Sequence, residues 1–401
     1  MLPALLLCLL FSQAPSARQP GTAQGTGQAQ GGETEAQLKR TLEAHPDQVE
    51  AYRRLSRFYR DRSRIGDAKA VLRQGLKRLP QNPELLLQSG ILSAQTKDFK
   101  AALESFGSIP AETAPRGYWE AVGRTSVSMG DFDKAEQAFQ KHLERHPGSI
   151  RTLRTLTGIA LKQGKTDQAW QYISEARKEA PASPQVLFDF AQVSLADQRV
   201  ADATLVLRIL LMMAPDTPEY LYQLGTALVR GEDFPLAIEQ FTRYTELKPE
   251  DPRGHLMLGY AFYVTNQYAQ ASPQLEQALR LDSGLQEAEY YLALIAYKSG
   301  RDEEAIRSFQ TLLAKSPQYG LAHLNLGKVH LQRGNFTQAR IELEKATRMM
   351  PDNWDAHFQL SRLFAQTGEP QRAKQELELY SRLKEEQEAR REKGRRVTFS
   401  N

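Results

Sequence analysis

The chain has 401 residues, with 52 Lys and Arg against 48 Asp and Glu, a formal net charge of +4, and 41% hydrophobic residues. That charge is too small to imply a nucleic-acid partner, and the composition is close to that of ordinary soluble chains. The single cysteine, Cys8, excludes a disulfide framework within one chain.

Leu2 to Phe11 is an apolar run, too short to span a bilayer and of the right length for the hydrophobic stretch of a signal peptide. Small residues at Ser12, Ala14, Ser16 and Ala17 offer cleavage positions. No Lys or Arg precedes the run, and Pro15 disfavours a cut directly after Ala14. Residues 1–17 are expected to be a signal peptide, which places the chain in the periplasm or outside the cell. Without that signal the chain would be cytoplasmic. The string ending in Cys8 can also be read as a lipid-attachment box, with a poor fit at the residue before the cysteine. Residues 18–32, RQPGTAQGTGQAQGG, hold almost no large apolar side chain and read as a flexible linker.

Residues 33–48 read as an N-terminal capping half-repeat, and residues 49–385 as ten repeated units. Alanines at 68, 102, 135, 169, 203, 237, 271, 305, 339 and 373 keep a 34-residue interval, broken once by an interval of 33. Pro147, Pro181, Pro215, Pro249, Pro317 and Pro351 lie on the same grid, and Pro46 and Pro80 keep the interval before the slipped junction. Self-similarity at this length is the signature of a solenoid.

Within a unit the apolar spacing is helical. In the sixth, Leu221, Leu224, Gly225 and Leu228 form one stripe and Ala237, Phe241 and Tyr244 a second. Asn82, Ser183, Thr217 and Asp251 are helix-capping residues followed directly by proline, and Ser149 and Asn353 occupy the same column without it. Gly130, Gly164, Gly300, Gly334 and Gly368 share a turn position between the two helices, where a left-handed backbone is expected. The alanine column is expected where the helices approach most closely. Two places break the pattern: GSIPAETAPRG at 107–117 drops one residue, and Pro273 falls inside a second helix. Residues 386–401 read as a charged basic tail, with Arg390, Arg391, Lys393, Arg395 and Arg396.

Over residues 49–385 the chain resembles the tetratricopeptide-repeat proteins. The third unit shows Trp119, Val122, Gly123, Ala135, Phe139 and Pro147; the ninth Leu326, Gly327, Ala339, Leu343, Ala346 and Pro351; the first Tyr52, Leu55, Tyr59, Ala68, Leu72 and Pro80. The resemblance implies an all-α, right-handed superhelical solenoid of about ten helix-turn-helix units with capping helices. It also implies an inner groove lined by first-helix positions 2, 5, 9 and 12. In this chain those columns hold Arg53, Arg57, Arg60, Arg124, Arg151 and Arg154 toward the N-terminal side, tempered by Glu50, Glu84 and Glu120. The middle units contribute Phe188, Tyr222, Tyr260, Tyr263, Tyr290 and Tyr297. Arginine grips carboxylates bidentately, and tyrosine gives contact area at small entropic cost, so the pattern suits an extended peptide with acidic and apolar or aromatic stretches. The competing reading is that these arginines are solvated helix residues and the tyrosines pack between helices.

Two specific family sites fit poorly. The chaperone-binding type would need Lys and Asn where Arg53 and Arg57 stand, and a second Asn at Gln88. The sugar-transferase type would need an asparagine ladder in a column that here holds a single asparagine, Asn325. His142 and His146 lie one helical turn apart without the metalloprotease order, and His255, His323 and His357 share a packing column. No catalytic residue, metal or cofactor is expected, nor a nucleic-acid partner, nor a membrane span in the mature chain; the oligomeric state is open. The expected function is a non-catalytic scaffold that binds a partner protein or extended peptide in the groove. The alternative is an accessory subunit of a cell-envelope enzyme, secretion, pilus or polysaccharide-export assembly.

Overall fold

Capping and turn residues recurring with the period cut the chain into first helices of 13 residues and second helices of 14, as in the pair 218–230 and 234–247. The computed structural model describes residues 33–398, with side chains to residue 389. The expected signal peptide and linker, and the side chains of Arg390 to Arg396, lie outside the described residues. The chain forms two compact units, one ending at Thr125 and the other beginning at Ser126. Among the described residues all regular structure is helical.

The first unit holds α1 (Glu35–Ala44), α2 (Val49–Asp61), α3 (Ile65–Arg78), α4 (Pro83–Gln95) and α5 (Phe99–Gly107). Helix α6 (Tyr118–Met129) crosses from one unit into the other. The second unit continues with α7 (Phe132–Arg145), α8 (Ile150–Lys162), α9 (Thr166–Glu179), α10 (Pro184–Ala196), α11 (Val200–Met213) and α12 (Pro218–Arg230). Then come α13 (Phe234–Leu247), α14 (Pro252–Val264), α15 (Tyr268–Leu281), α16 (Gln286–Lys298) and α17 (Asp302–Lys315). It ends with α18 (Gly320–Gln332), α19 (Phe336–Met349), α20 (Trp354–Gln366) and α21 (Pro370–Thr398). From α1 to α5, and again from α7 to α21, each helix packs on its neighbours in sequence. The closer contacts between helices two apart are all between first helices, such as α2 with α4 and α14 with α16. In a stack of hairpins this makes the first helices the inner row of each unit.

The alanine column explains how tightly the hairpins close. The nine alanines from Ala68 to Ala339 are fully buried. Ala373, on the last of the described helices, is only half-buried. The facing position on the first helix is equally constrained: a Cβ built on Gly327 would lie 2.7 Å from Leu343 Cγ. A larger side chain at either place must push the helices apart.

The caps follow the sequence in part. Asn82 accepts from the amides of Glu84 and Leu85, Asp251 from Arg253, and Asn353 from Ala356. Ser183 and Thr217 stand at their helix starts, yet their side chains cap nothing; Ser183 Oγ instead donates to Gln185 Oε1 at 3.1 Å. Ser149 Oγ pairs with the Thr152 hydroxyl rather than a helix amide. The five expected turn glycines have φ between 69° and 79°. The same position in the other units also has positive φ, between 58° and 61°, without glycine, at Ser63, Lys97, Gln198, Glu232 and Asn266. Each of these holds an L side chain in the left-handed region, at roughly 1–2 kcal/mol.

The irregular segments also take regular packing. Pro110 follows the nine-residue α5, and a 3₁₀ turn at Ala111–Thr113 leads to α6. There Tyr118 donates its hydroxyl to the Phe106 carbonyl at 3.1 Å. Helix α15 runs unbroken through Pro273. At one end α1 buries Leu38 and Leu42. At the other, α21 lays Tyr380 against Trp354 and Phe358, and Trp354 Nε1 donates to Gln387. Among the described residues no helix is long and apolar enough to cross a membrane.

Candidate functional site

The inner row of the second unit is built by a contact rule. A residue on one first helix meets the residue 35 positions later on the next, one period plus one. Arg154 pairs with Asp189 this way, Asn325 Nδ2 donates to the Tyr290 hydroxyl at 2.9 Å, and Tyr297 donates to Gln332 at 3.0 Å. Arg230 closes the same offset backwards, donating to the Leu195 carbonyl at 2.6 Å.

Between α14 and α18 this row carries a chain of aromatic ring contacts. The Tyr291 ring lies 5.1 Å from Tyr260, 5.4 Å from Tyr263 and 5.5 Å from Tyr290. Tyr290 in turn lies 5.4 Å from Tyr319. These tilted contacts are worth about 0.5–1.5 kcal/mol each beyond burial. Burial raises the phenols of Tyr260, Tyr291 and Tyr319 above their ordinary range, and pushes Tyr263 up to about 12. All are therefore neutral donors at neutral pH. The hydroxyls of Tyr260, Tyr263, Tyr291 and Tyr319 have no hydrogen-bond partner among the described residues, and none is sealed from solvent. Beyond them on α18 and α20, Lys328 pairs with Asp355 at 2.5 Å.

The sequence-expected residues fall into three groups. Tyr260, Tyr263 and Tyr297 are half-buried on this surface, and Phe188 is half-buried against Tyr220 at 5.3 Å. Tyr222 and Tyr290 are only 8% exposed, which corrects the expectation that they line an open groove. Tyr222 is wedged against Phe241 and Tyr244, and Tyr290 against Phe309, so both serve the packing of the stack. The arginines are divided between the units. Arg53, Arg57, Arg60 and Arg124 belong to the first, and Arg151 and Arg154 to the second.

Most of that positive charge is answered locally. Arg53 lies 3.1 Å from Glu50 and 3.5 Å from Glu84, Arg60 2.9 Å from Asp61, and Arg124 3.9 Å from Glu120. Arg154 is held by Asp189, a carboxyl that burial raises above its usual range even so. Arg57 and Arg151 are exposed. Sequence reading missed Tyr291, Tyr319 and Asp189. The offset of 35 would have found Asp189 from Arg154. Tyr319 precedes its helix and lies outside every first-helix column.

Three of the histidines make structural bonds between helices and turns. His255, His323 and His357 each direct Nε2 at the carbonyl six residues earlier, Pro249, Pro317 and Pro351, and Nδ1 at a residue nineteen later, Gln274, Glu342 and Glu376. Tyr52 fills this place in the first unit, donating to the Pro46 carbonyl at 2.8 Å. The rings of His142 and His146 lie 4.8 Å apart. Among the described residues no three His, Cys, Asp or Glu side chains gather as a metal site requires.

Two family profiles described as tetratricopeptide repeat match stretches that together run without a gap from residue 126 to 389. This chain belongs to the tetratricopeptide-repeat family. It is 24% identical over 266 residues to a DnaJ homolog subfamily C member 7 homolog of Dictyostelium discoideum, covering 59% of this chain and 49% of that protein. It is 28% identical over 209 residues to cellulose synthase operon protein C of Pseudomonas fluorescens, covering 49% of this chain and 16% of that protein. The chain thus spans half or less of the length of these relatives. Among solved structures, a tetratricopeptide repeat protein from Parabacteroides merdae aligns with TM-score 0.49 at 18% identity, covering 58% of this chain and 93% of that one. Tetratricopeptide arrays are protein-interaction scaffolds, and that general role holds for this chain.

Proposed function

We propose that this scaffold holds an extended peptide or a segment of a partner protein along the inner row of its second unit, over Tyr260, Tyr263, Tyr291 and Tyr319. The carrying observation is the set of four neutral phenols whose hydroxyls have no intramolecular partner among the described residues. An extended peptide offers backbone carbonyls to accept from them and apolar side chains to cover the rings. The Lys328–Asp355 pair beyond them gives the surface a polar end suited to a charged residue of the ligand.

Changing Tyr260, Tyr263 and Tyr291 together to alanine should abolish capture of partners while the circular dichroism spectrum keeps its helical signal. Tyr290→Phe, on a buried ring, should leave capture intact. If the triple variant retains the same partners at the same affinity, the ligand lies elsewhere.

A second reading is favoured by the likeness to a cellulose synthase operon protein: an accessory subunit of an envelope or polysaccharide-export assembly. It goes with export directed by residues 1–17. Fractionation of cells expressing the full chain would find it in the periplasm or medium. Retention in the cytoplasm would remove this reading and leave the scaffold role standing.

A further inference from the structure

The outer face of α11 departs from every other second helix. Leu205, Ile209, Met212 and Met213 are 61%, 40%, 82% and 53% exposed. Their spacing of four, three and one places them on one side of the helix. The repeat supplies its own control. In the preceding unit the same four columns hold Gln171, Glu175, Lys178 and Glu179, and in the following one Glu239, Arg243, Glu246 and Leu247. No other unit fills more than two of the four columns with apolar side chains. The fold therefore does not need them there, and leaving them in water is unfavourable.

We infer that this stripe is where a second copy of the chain docks, α11 against α11, to form a twofold dimer. Three features favour a copy over an unrelated partner. The stripe is apolar along its length and self-complementary, as an isologous contact demands. Its neighbours carry both signs, with Glu175, Glu239 and Glu246 beside Lys178, so a twofold contact meets mixed charge and not a field of one sign. Arg208, exposed at the stripe's edge, has no carboxylate partner among the described residues and is available to a glutamate of the other copy. The four side chains expose on the order of 450 Å² of apolar surface, over half of the roughly 800 Å² that each side of a standard interface contributes, and the charged rim supplies the remainder. Methionines at one end suit a contact that must adapt to its own copy. The docking face is on a second helix, so it leaves the tyrosine row of the first helices open.

The test is the mass of the full chain in solution. Sedimentation equilibrium should show a monomer–dimer equilibrium at micromolar concentration, and the double variant Leu205→Glu, Met212→Glu should be monomeric at concentrations at least tenfold higher with unchanged helicity. With Cys8→Ser, the variant Met212→Cys should oxidise to a covalent dimer, whereas a cysteine at exposed Glu276 on α15 should not. A wild-type chain monomeric to about 100 µM, well above the micromolar range of ordinary specific association, would overturn the proposal. So would a dimer that survives the double substitution, or equal cross-linking at both cysteines.

Discussion

His357 and Glu376, nineteen residues apart on α20 and α21, meet at 2.6 Å between Nδ1 and a carboxylate oxygen, while Nε2 of the same ring faces the Pro351 carbonyl at 2.9 Å. Both ring nitrogens face acceptors, an arrangement that only the charged imidazolium satisfies fully. The bond to Glu376 raises His357 above its ordinary value, outweighing burial and helped by the Pro351 carbonyl. Because the folded value is raised, the stabilisation is complete below the unfolded value of about 6.5 and fades as pH rises through the folded one.

The C-terminal hairpins should accordingly be firmer at pH 5.5 than at pH 8.5. Amide exchange in α20 and α21 reads this directly, and Glu376→Gln should remove the difference at a cost of about 1–2 kcal/mol at the lower pH. An unchanged pH response in Glu376→Gln would assign it to other groups. Glu342 is not one of them: burial opposes its charge, but bonds from His323 and Lys345 hold it below the usual carboxylate range, so it stays ionised throughout this interval.

The alanine column predicts a positional contrast. Ala237→Leu, at a fully buried site, should lower stability by about 1–3 kcal/mol through overpacking. Ala373→Leu, at the half-buried position, should cost well under about 1 kcal/mol. Denaturant midpoints of the two variants measure the difference, and equal losses would remove the close-approach explanation.

The turns predict gains. Glu232→Gly and Lys97→Gly should each stabilise the chain by about 0.5–1 kcal/mol, the relief of the left-handed residue offset in part by the added freedom of the unfolded chain. Gly300→Ala should do the reverse by about 1 kcal/mol. Thermal melts of the three variants suffice.

The tyrosines predict a split between packing and recognition. Tyr290→Phe removes the acceptor of the Asn325 side-chain amide and should cost about 1 kcal/mol of stability. Tyr263→Phe removes a hydroxyl with no internal partner among the described residues, so the melting temperature should hold while partner affinity falls. A fall in stability for Tyr263→Phe would make it another packing residue.

The repeat was legible because its signals are periodic: a buried alanine at a 34-residue interval broken once, a glycine at half of the left-handed turns, a proline at most closures. What stayed hidden has a physical reason in each case. Five turns accept the left-handed region without glycine, and tolerated strain leaves no residue type behind. Ser183 and Thr217 have capping chemistry, but their side chains make no bond to a helix amide. Tyr222 and Tyr290 share one column and are sealed, whereas Tyr260 and Tyr263 occupy two others and are half-buried, a difference that residue type alone does not carry. Asp189 neutralises Arg154 from the next helix, a pairing that no single-unit reading contains.

Three of the non-glycine turns, at Gln198, Glu232 and Asn266, fall in consecutive hairpins of the second unit. Linear arrays ordinarily fray from their ends, where a repeat has one neighbour instead of two. Here the interior carries its own internal tension, so transient loosening can start mid-chain, in and beside the hairpin that carries Tyr260 and Tyr263. A ligand laid across those rings would act as a splint, slowing that loosening, and its arrival would be felt as stiffening well away from either terminus.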